Sequence, residues 1–186
     1  MFILMIFISY LIGSISTAYF LGEIFGVDLT QEGTKNPGAT NVFKVIGPGW
    51  GLFTAMTDLL KGIIPTYIAK EVLNYNMLLL TGVALGAIIG HNWPWVNNFN
   101  GGRGLATTLG SIIVINLPQG LLAFVLGVGL TAVFRKKYRR NVRICFLVYP
   151  IFTAFSLYPV FNIYKLIYGV GITSIAGIRA WQLKDR

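Results

Sequence analysis

Met77-Leu78-Leu79-Leu80-Thr81-Gly82-Val83-Ala84-Leu85-Gly86-Ala87-Ile88-Ile89-Gly90-His91-Asn92-Trp93 contains no Asp, Glu, Lys or Arg. A charge-free apolar run approaching the roughly 20 residues that cross a bilayer reads as a membrane span. Gly82, Gly86 and Gly90 recur every fourth residue, which makes a smooth stripe where a second helix can approach closely. Gly13, Ser14, Ser16 and Thr17 give an earlier apolar run a similar small, polar flank. Packing, not ligand binding, is the reading of both features.

The rest of the chain agrees. Of 186 residues, 55% are hydrophobic and 11% charged, and the mean hydropathy is +0.69. Soluble domains carry about twice that charged fraction. The apolar runs give seven expected spans: Phe2–Gly22, Val45–Ala69, Met77–Trp93, Leu105–Leu117, Gly120–Phe134, Ile144–Val160 and Tyr164–Trp181, with six as the fallback because the fourth and fifth are short. The expected fold is all-α, one polytopic membrane domain over residues 1–186. Phe2–Gly22 has no basic leader region, so it reads as a retained span.

The formal charge of +9 is read as topogenic, with no nucleic-acid partner. With the N-terminus outside, inner loops hold Lys35, Lys44, Arg103, Arg135, Lys136, Lys137, Arg139, Arg140 and Arg143. Arg179, Lys184 and Arg186 lie in the tail. Only Lys61, Lys70 and Lys165 of the 15 basic residues fall elsewhere. This asymmetry predicts a cytoplasmic C-terminus and places two polar loops on the cytoplasmic side.

Those loops carry the candidate chemistry. Gly33-Thr34-Lys35-Asn36-Pro37-Gly38-Ala39-Thr40-Asn41 is glycine-bearing and hydroxyl-rich, and its backbone N–H groups can converge on an anion. Thr34, Asn36, Thr40 and Asn41 add neutral donors, and Lys35 and Lys44 add charge. The bland alternative is a solvated turn before a helix. The second loop, Asn98-Phe99-Asn100-Gly101-Gly102-Arg103-Gly104, opens another apolar run. Glycines before a helix start expose N–H groups, and the helix dipole favours an anion there. Arg103 can grip a phosphate with two hydrogen bonds. The spacing is not that of a Walker loop.

His91 is the only histidine, a hydrogen-bonding or acid/base residue or simply an interfacial one. No cluster of His, Cys and carboxylates suggests a metal. Asp58 and Lys61 lie inside a span three residues apart, where they can pair. Support of the site is the expected role for them. Arg135 to Arg143 is the densest charge run and reads as topogenic, and the lone Cys145 as packing.

On these residues the sequence resembles the PlsY family of acyl-phosphate:glycerol-3-phosphate acyltransferases. The resemblance rests on Gly13-Ser14-Ile15, on Gly33 to Val42 with its Asn-Pro-Gly-Ala-Thr-Asn string, and on Asp58-Leu59-Leu60-Lys61-Gly62. It continues through Gly90-His91 and Gly101-Gly102-Arg103-Gly104-Leu105-Ala106-Thr107, in order from about residue 10 to residue 118. It implies a seven-helix bacterial inner-membrane enzyme with its active site facing the cytoplasm and no cofactor. The implied reaction moves a fatty acyl group from acyl phosphate to the 1-hydroxyl of glycerol 3-phosphate, giving lysophosphatidic acid. Implied partners are these two substrates, membrane lipids and the enzyme that supplies acyl phosphate.

Carried over, the catalytic positions are Thr34, Lys44 and Arg103. The substrate-binding positions are Asn36, Gly38, Thr40, Asn41, His91, Gly101, Gly102 and Gly104. Three of these depart from the family: Thr34 stands for serine, Lys44 for arginine and Arg103 for lysine. The family's third motif, His-Arg-x-Asn-Ile followed by Gly-x-Glu, has no counterpart after the last span. The competing readings are a weak or inactive lipid- or phosphate-binding paralogue and, on a different principle, a small transporter. Against the transporter, no pair of broken helices with internal repeats is evident.

Overall fold

The computed structural model of the chain describes residues 1–115, 118 and 163–182. Every regular element among the described residues is helical: α1 (Phe2–Ser14), α2 (Thr17–Phe25), α3 (Ala39–Val45), α4 (Pro48–Tyr67), α5 (Met77–Asn92), α6 (Leu105–Ile115) and α7 (Ile163–Gln182). The expected fifth and sixth spans, the basic run from Arg135 and Cys145 lie outside the described residues.

Local chemistry sets the boundaries. The first apolar run is broken at extended Ile15 and Ser16, and the Ser16 side chain caps α2 by accepting from the Tyr19 N–H. The second run was expected to start at Val45, but its long helix starts at Pro48. Gly47, at φ 147°, ends α3, and Pro48 takes the first helical position, where its missing N–H costs nothing. After α4 the chain makes a π-helical turn over Ile68–Val72. Phe2–Phe25 and Met77–Asn97 are long and apolar enough to cross a bilayer, and Leu105–Ile115 is a shorter apolar helix.

Two of the helices, α1 and α4, are inside out by the standards of a water-soluble protein. α4 buries Gly51, Thr54, Asp58, Lys61, Gly62 and Thr66, while Leu52, Phe53, Met56, Leu60 and Ile64 face outward. α1 buries Ser9, Gly13 and Ser14 and exposes Ile3, Leu4, Phe7 and Ile8. Apolar surface on this scale is stable against lipid and not against water. With no hydrophobic force between helices in lipid, close packing and polar contacts must hold them.

The glycine stripe performs that packing. α5 lies against α1 so closely that a Cβ on Gly86 would meet Ser9 Oγ, and one on Gly90 would meet the Tyr10 carbonyl. Ser9 Oγ donates to the Val83 carbonyl at 2.9 Å; such interhelical bonds contribute about 1 kcal/mol. α4 and α6 meet in the same way, Gly62 against the Thr107 carbonyl and Gly110 against the Leu59 carbonyl. α7 packs Tyr168 and Ile172 onto Ala84, Ile88 and Ile112. Tyr10 Oη donates to the Trp93 carbonyl at 3.0 Å, and Trp93 Nε1 donates to Gln182 Oε1 at 2.8 Å. These contacts gather the ends of α1, α5 and α7 beside the polar loops.

Candidate functional site

The first connection, residues 26–38, is organised by one residue. Asn41, fully buried on α3, donates from Nδ2 to the Leu29 carbonyl at 2.9 Å and the Glu32 carbonyl at 3.0 Å. Its Oδ1 accepts from the Thr34 N–H and, at 3.0 Å, from the Thr34 hydroxyl. Both amide hydrogens are therefore committed to the protein. Asn41 shapes the loop and has no N–H left to offer a ligand. Lys35 sits at φ +56°, a left-handed geometry that few non-glycine residues adopt. Thr34, Lys35, Thr40 and Lys44 are exposed.

The second connection, residues 93–104, is held from outside. Arg179, near the end of α7 and 3% exposed, donates from Nε to the Gly102 carbonyl at 3.2 Å and from a terminal nitrogen to the Gly101 carbonyl. It also donates to Gln182 Oε1 at 3.2 Å. From behind, the His91 carbonyl accepts from the Gly102 N–H at 3.2 Å. Gly104 turns the chain at φ +72°, and its carbonyl accepts from the Thr108 N–H at 2.8 Å to start α6. A side chain at 104 would be strained and would strike Asn92. The N–H groups of the first α6 turn have no intrahelical acceptors. Arg103 beside them is accessible to solvent, while partial burial lowers its pKa without discharging it.

The two connections touch. A Cβ built on Gly102 would lie 3.1 Å from the Pro37 carbonyl oxygen and would strike His91 Nε2. Pro37 also lines, with Asn97, Asn98 and Asn100, an open cavity of about 390 Å³ whose other walls include Tyr19 and Glu23 of α2 and Asp28. Asp28 accepts from the Thr30 N–H and hydroxyl at 2.8 and 2.6 Å, which holds its carboxyl below the usual range. Asn36 Oδ1, Asn97 Nδ2 and both polar atoms of Asn92 are buried without a hydrogen-bond partner. Each unpaired buried group costs about 1–3 kcal/mol, and such a concentration marks a place reserved for polar company.

The geometry sorts the expected residues. Gly101, Gly102 and Gly104 form the second loop, Gly38 and Asn36 flank its contact with the first, and His91 packs beneath Gly102. None of the expected catalytic or substrate-binding residues lines the cavity, and among the described residues no hydrogen bond joins Thr34, Lys44 and Arg103 to one another. The expected Asp58–Lys61 pair is present, Lys61 Nζ lying 2.7 Å from Asp58 Oδ1. Thr107 Oγ1 donates to the Asp58 carbonyl at 2.9 Å, tying α6 to that turn of α4. Arg179 was read from sequence only as a topogenic charge. No spacing rule connects it to a loop 77 positions away.

This combination defines a helical membrane protein with its polar loops gathered at one end of the bundle. The same architecture appears in the crystal structure of PlsY (YgiH), an integral membrane glycerol 3-phosphate acyltransferase, in its glycerol 3-phosphate form. That structure has a TM-score of 0.84 and 27% identity over all of this chain and 90% of that one. The lysophosphatidic acid form gives 0.82 and 26%. The family model described as glycerol-3-phosphate acyltransferase matches residues 3–184, and the chain belongs to that family. The match runs well beyond the motifs that carry the resemblance.

Among curated relatives, the glycerol-3-phosphate acyltransferase of Methylococcus capsulatus is 39% identical over 133 residues, 71% of this chain and 67% of that protein. That of Ruthia magnifica is 37% identical over 163 residues, 87% and 80%. That of Legionella pneumophila (strain Corby) is 39% identical over 123 residues, 66% and 44%. The chain thus spans less than half the length of the Legionella relative.

Proposed function

We propose that the chain transfers a fatty acyl group from acyl phosphate to the 1-hydroxyl of glycerol 3-phosphate, releasing phosphate and lysophosphatidic acid. The observation that carries this reading is the meeting of the two glycine-bearing loops at Pro37 and Gly102, beside a cavity that the unpaired amide of Asn97 lines. Two loops in contact can seat the phosphates of donor and acceptor side by side. The acceptor oxygen then bonds to the acyl carbon as the bond to the phosphate oxygen breaks. The hydroxyl proton passes to the acceptor's own phosphate.

Phosphate is a good leaving group, so orientation and charge neutralisation supply the acceleration. No Ser-His-Asp set is needed. Thr34, Lys44 and Arg103 act on the reacting groups. Asn36, Gly38, Thr40 and the N–H groups of Gly101 and Gly104 hold the phosphates and glycerol, while Gly102, its N–H bonded to the His91 carbonyl, gives close backbone approach. Asn41 contributes by shaping the first loop. The C-terminal end of α7, through Arg179, supports the glycine loop.

The enzyme spans the bacterial inner membrane seven times, N-terminus outside, with this end of the bundle in the cytoplasm. There it meets the enzyme that makes acyl phosphate. The departures from the family at Thr34, Lys44 and Arg103 favour one competing reading, a paralogue that binds glycerol 3-phosphate without turnover.

Purified protein supplied with acyl phosphate and glycerol 3-phosphate should release lysophosphatidic acid. Folded protein that makes none, alongside an active family member, refutes the enzyme. Binding without product then selects the paralogue.

A further inference from the structure

Asp58, Lys61 and His91 are buried polar groups that no step of the acyl transfer above uses. Asp58 Oδ1 lies 2.7 Å from Lys61 Nζ on the same helix, so that pair already satisfies itself. The carboxylate nevertheless takes a third group from another helix. His91 Nδ1 of α5 lies 3.5 Å away, on a side chain only 9% exposed. The opposite ring nitrogen, Nε2, fills the space where a Cβ on Gly102 would fall. The ring lies with a carboxylate at Nδ1 and the glycine loop at Nε2, and the Pro37 carbonyl oxygen is 3.1 Å from the same Gly102 Cβ position.

An imidazole is rigid and two-ended. A carboxylate on Nδ1 sets its tautomer and its plane, as second partners do for histidines in metal sites. Catalysis by fixed donors loses rate when they move by a fraction of an ångström. We infer that Asp58 and His91 form a positioning pair that sets the height of the Gly101–Gly104 loop, with His91 acting on substrate through Gly102. This rests on the reading of that loop as a phosphate site. It also explains glycine at 102: any side chain there would displace the ring that holds the loop.

The test is a double-mutant cycle on turnover. His91→Ala and Gly102→Ala should each lower kcat/KM about tenfold or more, chiefly by raising KM for a phosphate-bearing substrate. A merely structural loss reduces the amount of active enzyme and leaves KM unchanged. Combined, they should cost no more than the worse single change, because the new methyl occupies space the ring has left. Asp58→Asn should raise the same KM severalfold in the parent and not at all in His91→Ala.

Losses that multiply, or a changed kcat with constant KM, overturn the positioning pair. Where the double variant fails to fold, the Asp58→Asn comparison decides alone. A parent protein that binds glycerol 3-phosphate without turning it over refutes only the acyltransferase. The same cycle is then read from calorimetric binding of glycerol 3-phosphate, with the same two outcomes.

Discussion

The two polar loops meet at one point but are built on opposite principles. The first is tied by its own chain: Asn41 reaches back to Leu29, Glu32 and Thr34, all within a dozen positions. The second is held by strangers. Arg179 arrives from α7 and the His91–Asp58 contact from α5 and α4. A self-tied loop keeps its shape wherever the surrounding helices move. A loop held by three helices reports on all of them, so damage far away in sequence should reach it.

Arg179→Ala should have the largest effect. It strips charged donors from two buried carbonyls and should cost about 3 kcal/mol, at about 1.5–3 kcal/mol per hydrogen bond to a charged group less what relaxation recovers. Turnover should fall about a hundredfold, while the first loop's protection from proteolysis stays unchanged. Arg179→Lys should recover only part, because an ammonium cannot hold two carbonyls as a fork does. Asn41→Ala should come next, destabilising by about 2 kcal/mol by orphaning the groups it pairs. Proteolysis should then open residues 26–38 and leave the second loop closed. Thr34→Ser should be smallest, within about threefold in activity, because the hydroxyl that meets Asn41 is retained. An equal spread of damage from all three would erase the contrast.

What the sequence made legible follows the same division. The glycine stripe on α5, the Asp58–Lys61 pair and the glycine turn before α6 are all patterns of short spacing, and the structure contains each of them. The break at Ile15 and the late start of α4 at Pro48 were blurred, because hydropathy averages over a helix interruption. The roles of Asn41 and Arg179 were hidden for different reasons. Asn41 looks like any loop donor until its hydrogen bonds are traced. Arg179 looks like any cytoplasmic charge until the bundle brings α7 to residue 102. Motif order gave the family, while the division of labour between binding and holding needed three-dimensional contacts.

The account depends on both loops seating one ligand beside the cavity that each helps to line. Thr30→Cys and Asn100→Cys, one in each connection and both lining that cavity, can be placed singly in a Cys145→Ala background and labelled with a thiol reagent. Glycerol 3-phosphate should slow labelling at both positions with the same half-saturating concentration. Protection at one position alone, or at neither, would contradict a common site.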